Sequence, residues 1–322
     1  MFQGLIKQIP SDFQVIELLD FEFSGDGEHD YLWVEKENTN TTWVARALAT
    51  HAGVAERDVG YAGLKDRDAV TRQWFSVRRP SGEGTDWTGL NLSGSRILET
   101  ARHQRKLKRG AHRGNQFRIV VRGVDAPTAM INERLTEIRQ SGVPNYFGPQ
   151  RFGHGGNNIR LAKNLFAGKR MKRAQRSIAL SAARSFLFNE MLSARVSRNT
   201  WNTLLPGEAV NLDGTGSFFV ADSIDDELVD RARSLDIHPT GVLWGKGQLK
   251  CVGQSAALAL AVAEQHATLA TGLEKAGLEM SCRALRLPLR EFSWDIADGD
   301  LCLDFRLDRG SFATAVIREI AA

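Results

Sequence analysis

The chain has 322 residues, is 42% apolar and 25% charged, and carries a formal net charge of +4. That length buries a full core and suits two domains of about 100–200 residues each, and the composition excludes a largely disordered chain. The longest apolar run, 256–263, falls far short of the roughly 20 residues that span a bilayer, and residues 1–12 lack a secretory signal pattern, so membrane and secreted classes drop out.

Up to residue 125, short alternating runs bounded by turn residues predict strands over 13–23, 31–37, 70–78, 97–102 and 116–124. One helix interrupts them. Thr41 or Thr42 caps it, Trp43, Val44, Ala47 and Leu48 form its apolar face, and Gly53 ends it. After Ala126-Pro127 the pattern turns helical, with Met130, Leu135 and Ile138 as an apolar stripe that Gly142 terminates. Helical patterns continue over 159–166 and 177–196. A mixed region follows, with a strand at 209–220, an acidic helix at 223–235 and an Ala-rich helix at 255–267. Strands return at 282–294 and 301–307, before a short helix from Ser311. This order predicts an α+β chain in which 1–140 and 281–322 form one discontinuous domain, interrupted by a mixed α/β insertion over 141–280. Two sequential domains divided near Gly142 fit the same pattern.

The basic residues are clustered. Between Arg96 and Arg113 stand Arg96, Arg102, Arg105, Lys106, Lys108, Arg109 and Arg113 against the single acid Glu99. Between Ile159 and Arg176 stand Arg160, Lys163, Lys169, Arg170, Lys172, Arg173 and Arg176 with no acid at all. These stretches outweigh the net charge of the whole chain, so the remainder is acidic. Either they are solvated faces, or they are surfaces that neutralise the phosphates of a polyanion; two of them, each beside a Gly-rich or aromatic segment, favour nucleic acid. Arg105, Lys106, Lys108, Arg109, Lys169, Arg170, Lys172 and Arg173 are the expected backbone contacts.

Much familiar chemistry is absent. Gly241 to Lys246 has the wrong spacing for a phosphate loop, and Gly153-His154-Gly155-Gly156 is not a dinucleotide fingerprint. HExxH and GxSxG are missing. Cys251, Cys282 and Cys302 show no CxxC spacing, which argues against a disulfide framework or a zinc site and fits a reducing cytoplasm. An enzyme built on this chain is expected to need no metal, redox cofactor or nucleotide cofactor, which leaves acid–base, nucleophilic or isomerising chemistry.

One segment stands out. In 59–77 strand-like residues flank a polar turn that sets Asp66 between Lys65 and Arg67, and neighbouring cations favour an ionised carboxylate fit for a nucleophile or base. A hairpin whose loop is charged simply because it faces water gives the same pattern. Two further segments, Gly114-Asn115-Gln116-Phe117-Arg118 and the run from Gly142 to Gly153, interleave aromatics with Asn, Gln and Arg in a way that suits an unstacked RNA base. Taken singly, Phe117, Phe147 and Phe152 read as core residues.

With these segments in order the chain resembles the TruD family of tRNA pseudouridine synthases. The resemblance runs from Gly4-Leu5-Ile6-Lys7 and Asp12-Phe13, through Gly63-Leu64-Lys65-Asp66, Lys108-Arg109-Gly110, Gly114-Asn115 and Pro144-Asn145-Tyr146-Phe147-Gly148. It continues to Ser181-Ala182-Ala183-Arg184-Ser185 and Gly310-Ser311-Phe312-Ala313-Thr314, so it covers nearly the whole chain. It implies a pseudouridine synthase catalytic domain with a mixed, largely antiparallel sheet, broken by a family-specific insertion. It also implies that Asp66 is the catalytic aspartate, that Lys7 pairs with it, and that Phe13, Asn115, Phe117 and Phe312, with Lys65, lie around the target nucleotide. The implied substrate is the uridine at position 13 of tRNA, notably glutamate tRNA, flipped out of its stack in the cytoplasm. Arg67 stands where the family commonly has lysine, which keeps the charge but changes the geometry. No protein partner is implied, and a monomer is compatible with the reading. A non-catalytic tRNA-binding or chaperone protein, a nuclease, and an enzyme for a small anionic substrate remain the alternatives from the residues alone.

Overall fold

The computed structural model describes residues 3–79 and 85–320. The chain begins with β1 (Leu5–Ile6), β2 (Phe13–Leu19), β3 (His29–Glu37), α1 (Thr41–His51), β4 (Val59–Tyr61), β5 (Val70–Arg78), β6 (Ser95–His103) and β7 (His112–Arg122). It continues with α2 (Thr128–Ser141), β8 (Val143–Pro144), α3 (Asn157–Phe166), α4 (Arg173–Ser197), β9 (Glu208–Leu212), β10 (Phe218–Ala221), α5 (Asp226–Arg233) and β11 (Ile237–Leu243). The last elements are α6 (Gly253–Gln265), α7 (Ala267–Lys275), β12 (Ser281–Ala284), β13 (Arg286–Leu287), β14 (Arg290–Ala297), β15 (Asp300–Asp308) and α8 (Ala313–Ile320).

These elements form two compact units. The first takes the chain up to Ile131 together with Arg290–Gly310, and the second takes Asn132–Leu289 together with Ser311–Ile320. The sequence placed the divisions at 140 and 281. In the structure the first falls inside α2, the second just before β14, and α8 goes with the second unit.

In the first unit the strand order is β14-β15-β7-β2-β5-β3-β6, with β1 added on β7 and β4 on β5. All these pairings are antiparallel except β2 with β5, so the α+β class with a mixed, largely antiparallel sheet is what the chain adopts. Period-two alternation explains the burial: Leu301, Leu303, Phe305 and Leu307 of β15 all point inward. The helix α1 lays Val44, Ala45, Leu48 and Ala49 against Leu32, Val34 and Phe75 of the sheet. Its buried stripe is rotated from the expected one, because Trp43 is exposed and the small Ala45 and Ala49 let the helix approach. A full burial such as that of Leu48 is worth about 1.5–3 kcal/mol. Gly114 in β7 permits another close approach, since a Cβ there would meet the Leu307 carbonyl at 2.3 Å.

The expected strand at 13–23 stops at Leu19, after a bulge at Leu18/Leu19. In α2 the buried stripe is Ile131, Leu135 and Ile138, and Met130 faces solvent. Helical spacing explains this, since 131, 135 and 138 follow the i, i+4, i+7 rule that 130 breaks.

In the second unit a sheet of order β10-β9-β11-β12 packs with α3, α4, α6 and α7 around Ala183, Leu187, Met191, Val242 and Leu273. The single strand expected at 209–220 is a hairpin, β9 and β10, turning through Asp213-Gly214-Thr215-Gly216. The strand expected at 282–294 is broken into β12, β13 and β14. The helix expected at 255–267 divides at His266. The strand β11 has no counterpart in the sequence reading, since Pro239 and Gly241 interrupt its apolar run. Pro239 is tolerated because the strand changes partner there: pairing with β9 ends at Pro239 and pairing with β12 begins at Thr240.

Arg195 of α4 and Glu208 of β9 form a fully buried ion pair, Nη1 to Oε1 at 2.8 Å. Arg195 also donates to the Thr200 and Thr203 carbonyls, so its charge is well satisfied. Breaking such a pair from one side leaves an uncompensated buried charge. The Arg195→Met variant is expected to lose about 3–5 kcal/mol of stability in urea unfolding, and Arg195→Met with Glu208→Leu to regain most of it. A loss below about 1 kcal/mol for the single variant would show that the pair is not what holds α4 to β9.

Candidate active site

Strand register brings the polar residues of the first unit together. Antiparallel pairing sets Glu17 opposite Asn115 and Val15 opposite Phe117. Parallel pairing sets Val15 beside Thr71, and β3 sets Lys36 opposite Thr71 and Val34 opposite Gln73. Residues directly opposite share a face, so Glu17, Lys36, Thr71, Gln73, Asn115 and Phe117 all lie on the inward face, across four neighbouring strands. Glu17, Lys36, Thr71 and Gln73 are buried. Polar groups in such a place call for hydrogen bonds; Thr71 Oγ1 has none among the described residues, and most bonds of the others converge on one turn, the loop from Ala62 to Ala69 between β4 and β5.

Lys36 Nζ donates to the Asp66 carbonyl at 2.9 Å and to the Thr39 carbonyl at 2.7 Å. The Lys65 amide donates to Thr41 Oγ1 at 3.1 Å, Thr41 Oγ1 donates to Gln73 Oε1 at 2.8 Å, and Gln73 Nε2 donates to the Gly63 carbonyl at 3.1 Å. Lys65 Nζ reaches Glu17 Oε1 at 2.6 Å, both side chains being buried. Beyond the Ile16–Arg72 pair β2 and β5 diverge, and the second Glu17 oxygen accepts the Trp74 amide at 3.1 Å in place of a backbone carbonyl. The turn is thus pinned from three strands and from the first residue of α1.

What the turn presents is the Asp66 carboxylate. Its Oδ1 accepts the Asp68 amide at 3.2 Å, and its Oδ2 is in contact with Lys7 Nζ. Lys7 adopts a left-handed φ of 54°, uncommon for a non-glycine residue, and its ammonium lies 4.3 Å from the centre of the Phe13 ring. Both partners remain partly open to solvent, at 29% for the Lys7 side chain and 38% for that of Asp66. The pairing of Lys7 with Asp66 is therefore present in the geometry. The sequence expected Lys65 and Arg67 to supply the neighbouring positive charge. Lys65 is instead committed to Glu17, and Arg67 is exposed.

Burial pushes the Lys36 ammonium down to about 8, opposed by the charge of Asp66 and assisted by that of Lys65. Burial, followed by the Lys65 charge, likewise holds His112 below the usual histidine range, with Glu17 acting the other way.

The other expected residues fall in different surroundings. Asn115 is half-buried, and its Oδ1 has no hydrogen-bond partner among the described residues. Phe117 is buried, stacked on Phe305 at 5.3 Å and edge-on to Phe13 at 6.2 Å. Its ring is largely enclosed by protein, as the core alternative anticipated. Phe312 belongs to the second unit, where it lies near Phe147 and Arg151. In the β6–β7 connection Arg105, Lys108 and Arg109 are exposed, Lys106 donates to the Arg57 carbonyl, and the Arg109 guanidinium sits 3.7 Å from the centre of the Tyr61 ring. Lys169, Arg170, Lys172 and Arg173 are exposed around the start of α4, with no ion pair among the described residues.

Glu17, Lys36, Thr41 and Gln73 were missed by sequence reading. A signal exists for two of them. Glu17 continues the inward series Phe13, Val15, and Lys36 the series Leu32, Val34, so each puts a charge where the alternation calls for an apolar residue.

Comparison with known proteins follows the same lines. The family model for tRNA pseudouridine synthase D (TruD) matches residues 1–170 and 159–320. A protein from Methylococcus capsulatus named tRNA pseudouridine synthase D is 46% identical over 321 residues, covering 99% of this chain and 91% of its own length. One of the same name from Nitrosococcus oceani is 46% identical over 322 residues, covering 98% and 90%. Among solved structures, a candidate tRNA pseudouridine synthase D (TruD) from Methanosarcina mazei superposes with a TM-score of 0.75 at 19% identity, over 99% of this chain and 93% of its own, which speaks for a shared fold.

The lowered Lys36 value has a definite sign. Between pH of about 8 and 10.5 the unfolded chain binds more protons at Lys36 than the folded one. The cost of charging this lysine is therefore present below pH 8 and fades as pH rises through that window. The stability of the native chain relative to Lys36→Met is expected to rise between pH 8 and 10, measured by urea unfolding with tryptophan fluorescence. A pH-independent difference would place Lys36 in a solvated environment instead.

Proposed function

Because the chain belongs to the tRNA pseudouridine synthase D (TruD) family, we propose that it is an isomerase converting uridine to pseudouridine in tRNA, at position 13 and with glutamate tRNA among its substrates. The observation that carries the reading is the Asp66 carboxylate, held at the surface of a hydrogen-bonded turn and in contact with the Lys7 ammonium. The first unit, with the Asp66 turn, is read as the catalytic domain and the second as the insertion. The enzyme would act where tRNA is, in the cytoplasm.

The reaction breaks the C1′–N1 bond, turns the uracil and joins C5 to C1′; the hydrogen on C5 leaves as a proton and N1 takes one up. No electrons are gained or lost overall. A stacked nucleotide hides these atoms, so the uridine is extruded, at a cost of a few kcal/mol. The Lys7 ammonium favours the anionic form of Asp66 and restrains its orientation. Asp66 acts at the sugar, either by attack on C1′ or by removal of the C2′ proton. A primary isotope effect from deuterium at C2′ identifies proton removal, and its absence identifies attack. Asn115 has an oxygen without a partner among the described residues on the same sheet face, which suits it to accept a hydrogen bond from the base or ribose. Phe13 and Phe117 shape the wall of that face, with Lys65 acting through Glu17 to hold the turn, and Phe312 is assigned to the nucleotide through the family resemblance.

Positive charge offsets the extrusion cost by binding the tRNA backbone. Arg105, Lys108 and Arg109 supply it in the first unit, with Lys106 beside them. In the second, Lys169, Arg170, Lys172 and Arg173 surround the first turn of α4, which holds no acid. Cations at this end of a helix oppose its dipole, at about 0.3–1 kcal/mol each. Such a cluster weakens its own helix and is compensated when an anion binds.

Asp66→Asn, nearly isosteric and uncharged, is expected to lower tritium release from C5-labelled uridine in tRNA by at least about a thousandfold, with tRNA affinity retained within a few-fold. Normal release by this variant would end the assignment. Replacing Lys169, Arg170, Lys172 and Arg173 together by Gln is expected to raise KM for tRNA more than it lowers kcat. It should also reduce the slope of log affinity against log salt by about 0.7–0.9 for each phosphate no longer neutralised. Mapping of pseudouridine in total tRNA with and without the enzyme tests reaction class and position together.

A further inference from the structure

The motif from Gly142 to Gly153 is only partly explained by the catalytic reading. In the structure this segment is locked within the second unit. Asn189 Oδ1 accepts the Phe147 amide at 3.0 Å, and Asn189 Nδ2 donates to the Phe147 carbonyl at 2.9 Å. Asn145 Nδ2 donates to the Ala284 carbonyl at 2.8 Å. At Gly148 a Cβ would meet the Gln150 side chain and Thr314 Oγ1, each at 2.5 Å. The backbone around Phe147 is therefore fixed.

Two guanidinium groups gather on the ring so fixed. That of Arg283 lies 4.3 Å from the centre of Phe147, and that of Arg151 lies 5.4 Å from it and 5.6 Å from the centre of Phe312. Arg283 Nη2 donates to Asn145 Oδ1 at 2.7 Å and Arg151 Nη1 to Ser181 Oγ at 2.7 Å, both neutral acceptors. Burial pushes Arg151 below the ordinary arginine range, and burial with the like charge of Arg151 pushes Arg283 down to about 10.

The same chain treats its other buried and half-buried cations differently. Arg195 meets Glu208 and Lys65 meets Glu17. Arg184 and Arg286 each donate to two backbone carbonyls. Arg151 has one hydroxyl, and among the described residues no carboxylate. Partly desolvating two like charges around one ring, one of them met by a single hydroxyl, costs stability, and an apolar replacement would pack at lower cost. Such an arrangement is stabilised by an anion with several acceptor oxygens, and the planar guanidinium matches a phosphate in a two-pronged contact. The flanking aromatic rings suit a ribose or an unstacked base on either side of that phosphate.

We propose that Arg151 and Arg283, held against Phe147 and Phe312, form a subsite for one phosphodiester of the RNA substrate. This rests on the reading of tRNA as substrate and adds a contact outside the exposed basic clusters. Because the subsite takes a phosphate and reads no base, it contributes affinity and positioning irrespective of sequence.

The test separates binding from turnover by placing every variant in the full chain carrying Asp66→Asn and measuring tRNA affinity between 50 and 200 mM KCl, a range that spans the physiological Debye length of about 8 Å. Arg151→Met, which keeps the apolar stem, is expected to flatten the slope of log affinity against log salt by about 0.7–0.9, with no fall in thermal midpoint. An unchanged slope overturns the proposal. Arg151→Lys keeps the charge and loses the fork, so it is expected to retain the slope while weakening affinity several-fold; unchanged affinity overturns the proposal as well, and this variant serves if Arg151→Met fails to fold. Failure of the wild type to release tritium would remove the isomerase reading and leave these binding slopes standing on their own.

Discussion

The structure depends on a lysine placed where a sheet ordinarily puts a valine or leucine. Lys36 is buried on the inward face of β3, and an ammonium there is tolerated only because carbonyls meet it. One of those carbonyls is that of Asp66. The need to satisfy Lys36 therefore becomes a constraint on the Asp66 turn. The end of β3, the entrance to α1 and the loop after β4 are fastened to a single nitrogen. With Lys36 next to it, Lys65 needs its own counter-charge, and Glu17 supplies it from a neighbouring strand. Each of these groups is expensive alone, and together they hold the turn while leaving the Asp66 carboxylate partly open to solvent. A network of this kind specifies one arrangement more than it adds stability.

The second unit uses positive charge in two ways. Arg195 and Glu208 compensate each other almost completely, and that pair holds a helix to a sheet. Arg151 is left with a hydroxyl, and the cations at the start of α4 stand at the end of the helix that repels them. The first is the signature of architecture. The others are local electrostatic costs that no acid in the first turn of the helix offsets.

Aromatic residues divide along similar lines. Phe13 supports the Lys7 ammonium, while Phe117 is enclosed by Phe305 and Phe13 and works from within the wall. Phe117 thus fixes a strand face from inside the protein, whereas Phe13 also meets the Lys7 charge.

Short-range pattern was enough to locate most elements, because apolar alternation along β3, β5, β7 and β15 and the helical spacing of α1 and α4 are properties of neighbouring residues. Where a strand's reason for existing lay in its partners, the pattern failed: β11 carries Pro239 and Gly241, which are tolerated only because the strand exchanges β9 for β12 at that point. Trp43 is exposed for a related reason, since the face a helix buries is set by what packs against it, whereas the exposure of Met130 follows from helical spacing alone. The unusual turn around Asp66 and the basic clusters were legible as composition. The fastening of that turn was not, because Lys7, Glu17 and Lys36 reach it from 59, 48 and 30 residues away. The sequence by itself determined the chemistry available, a carboxylate among cations and patches of positive charge. Only tertiary structure decided which cation each carboxylate meets, because ion pairing follows distance in space, and pairing across strands sets that distance.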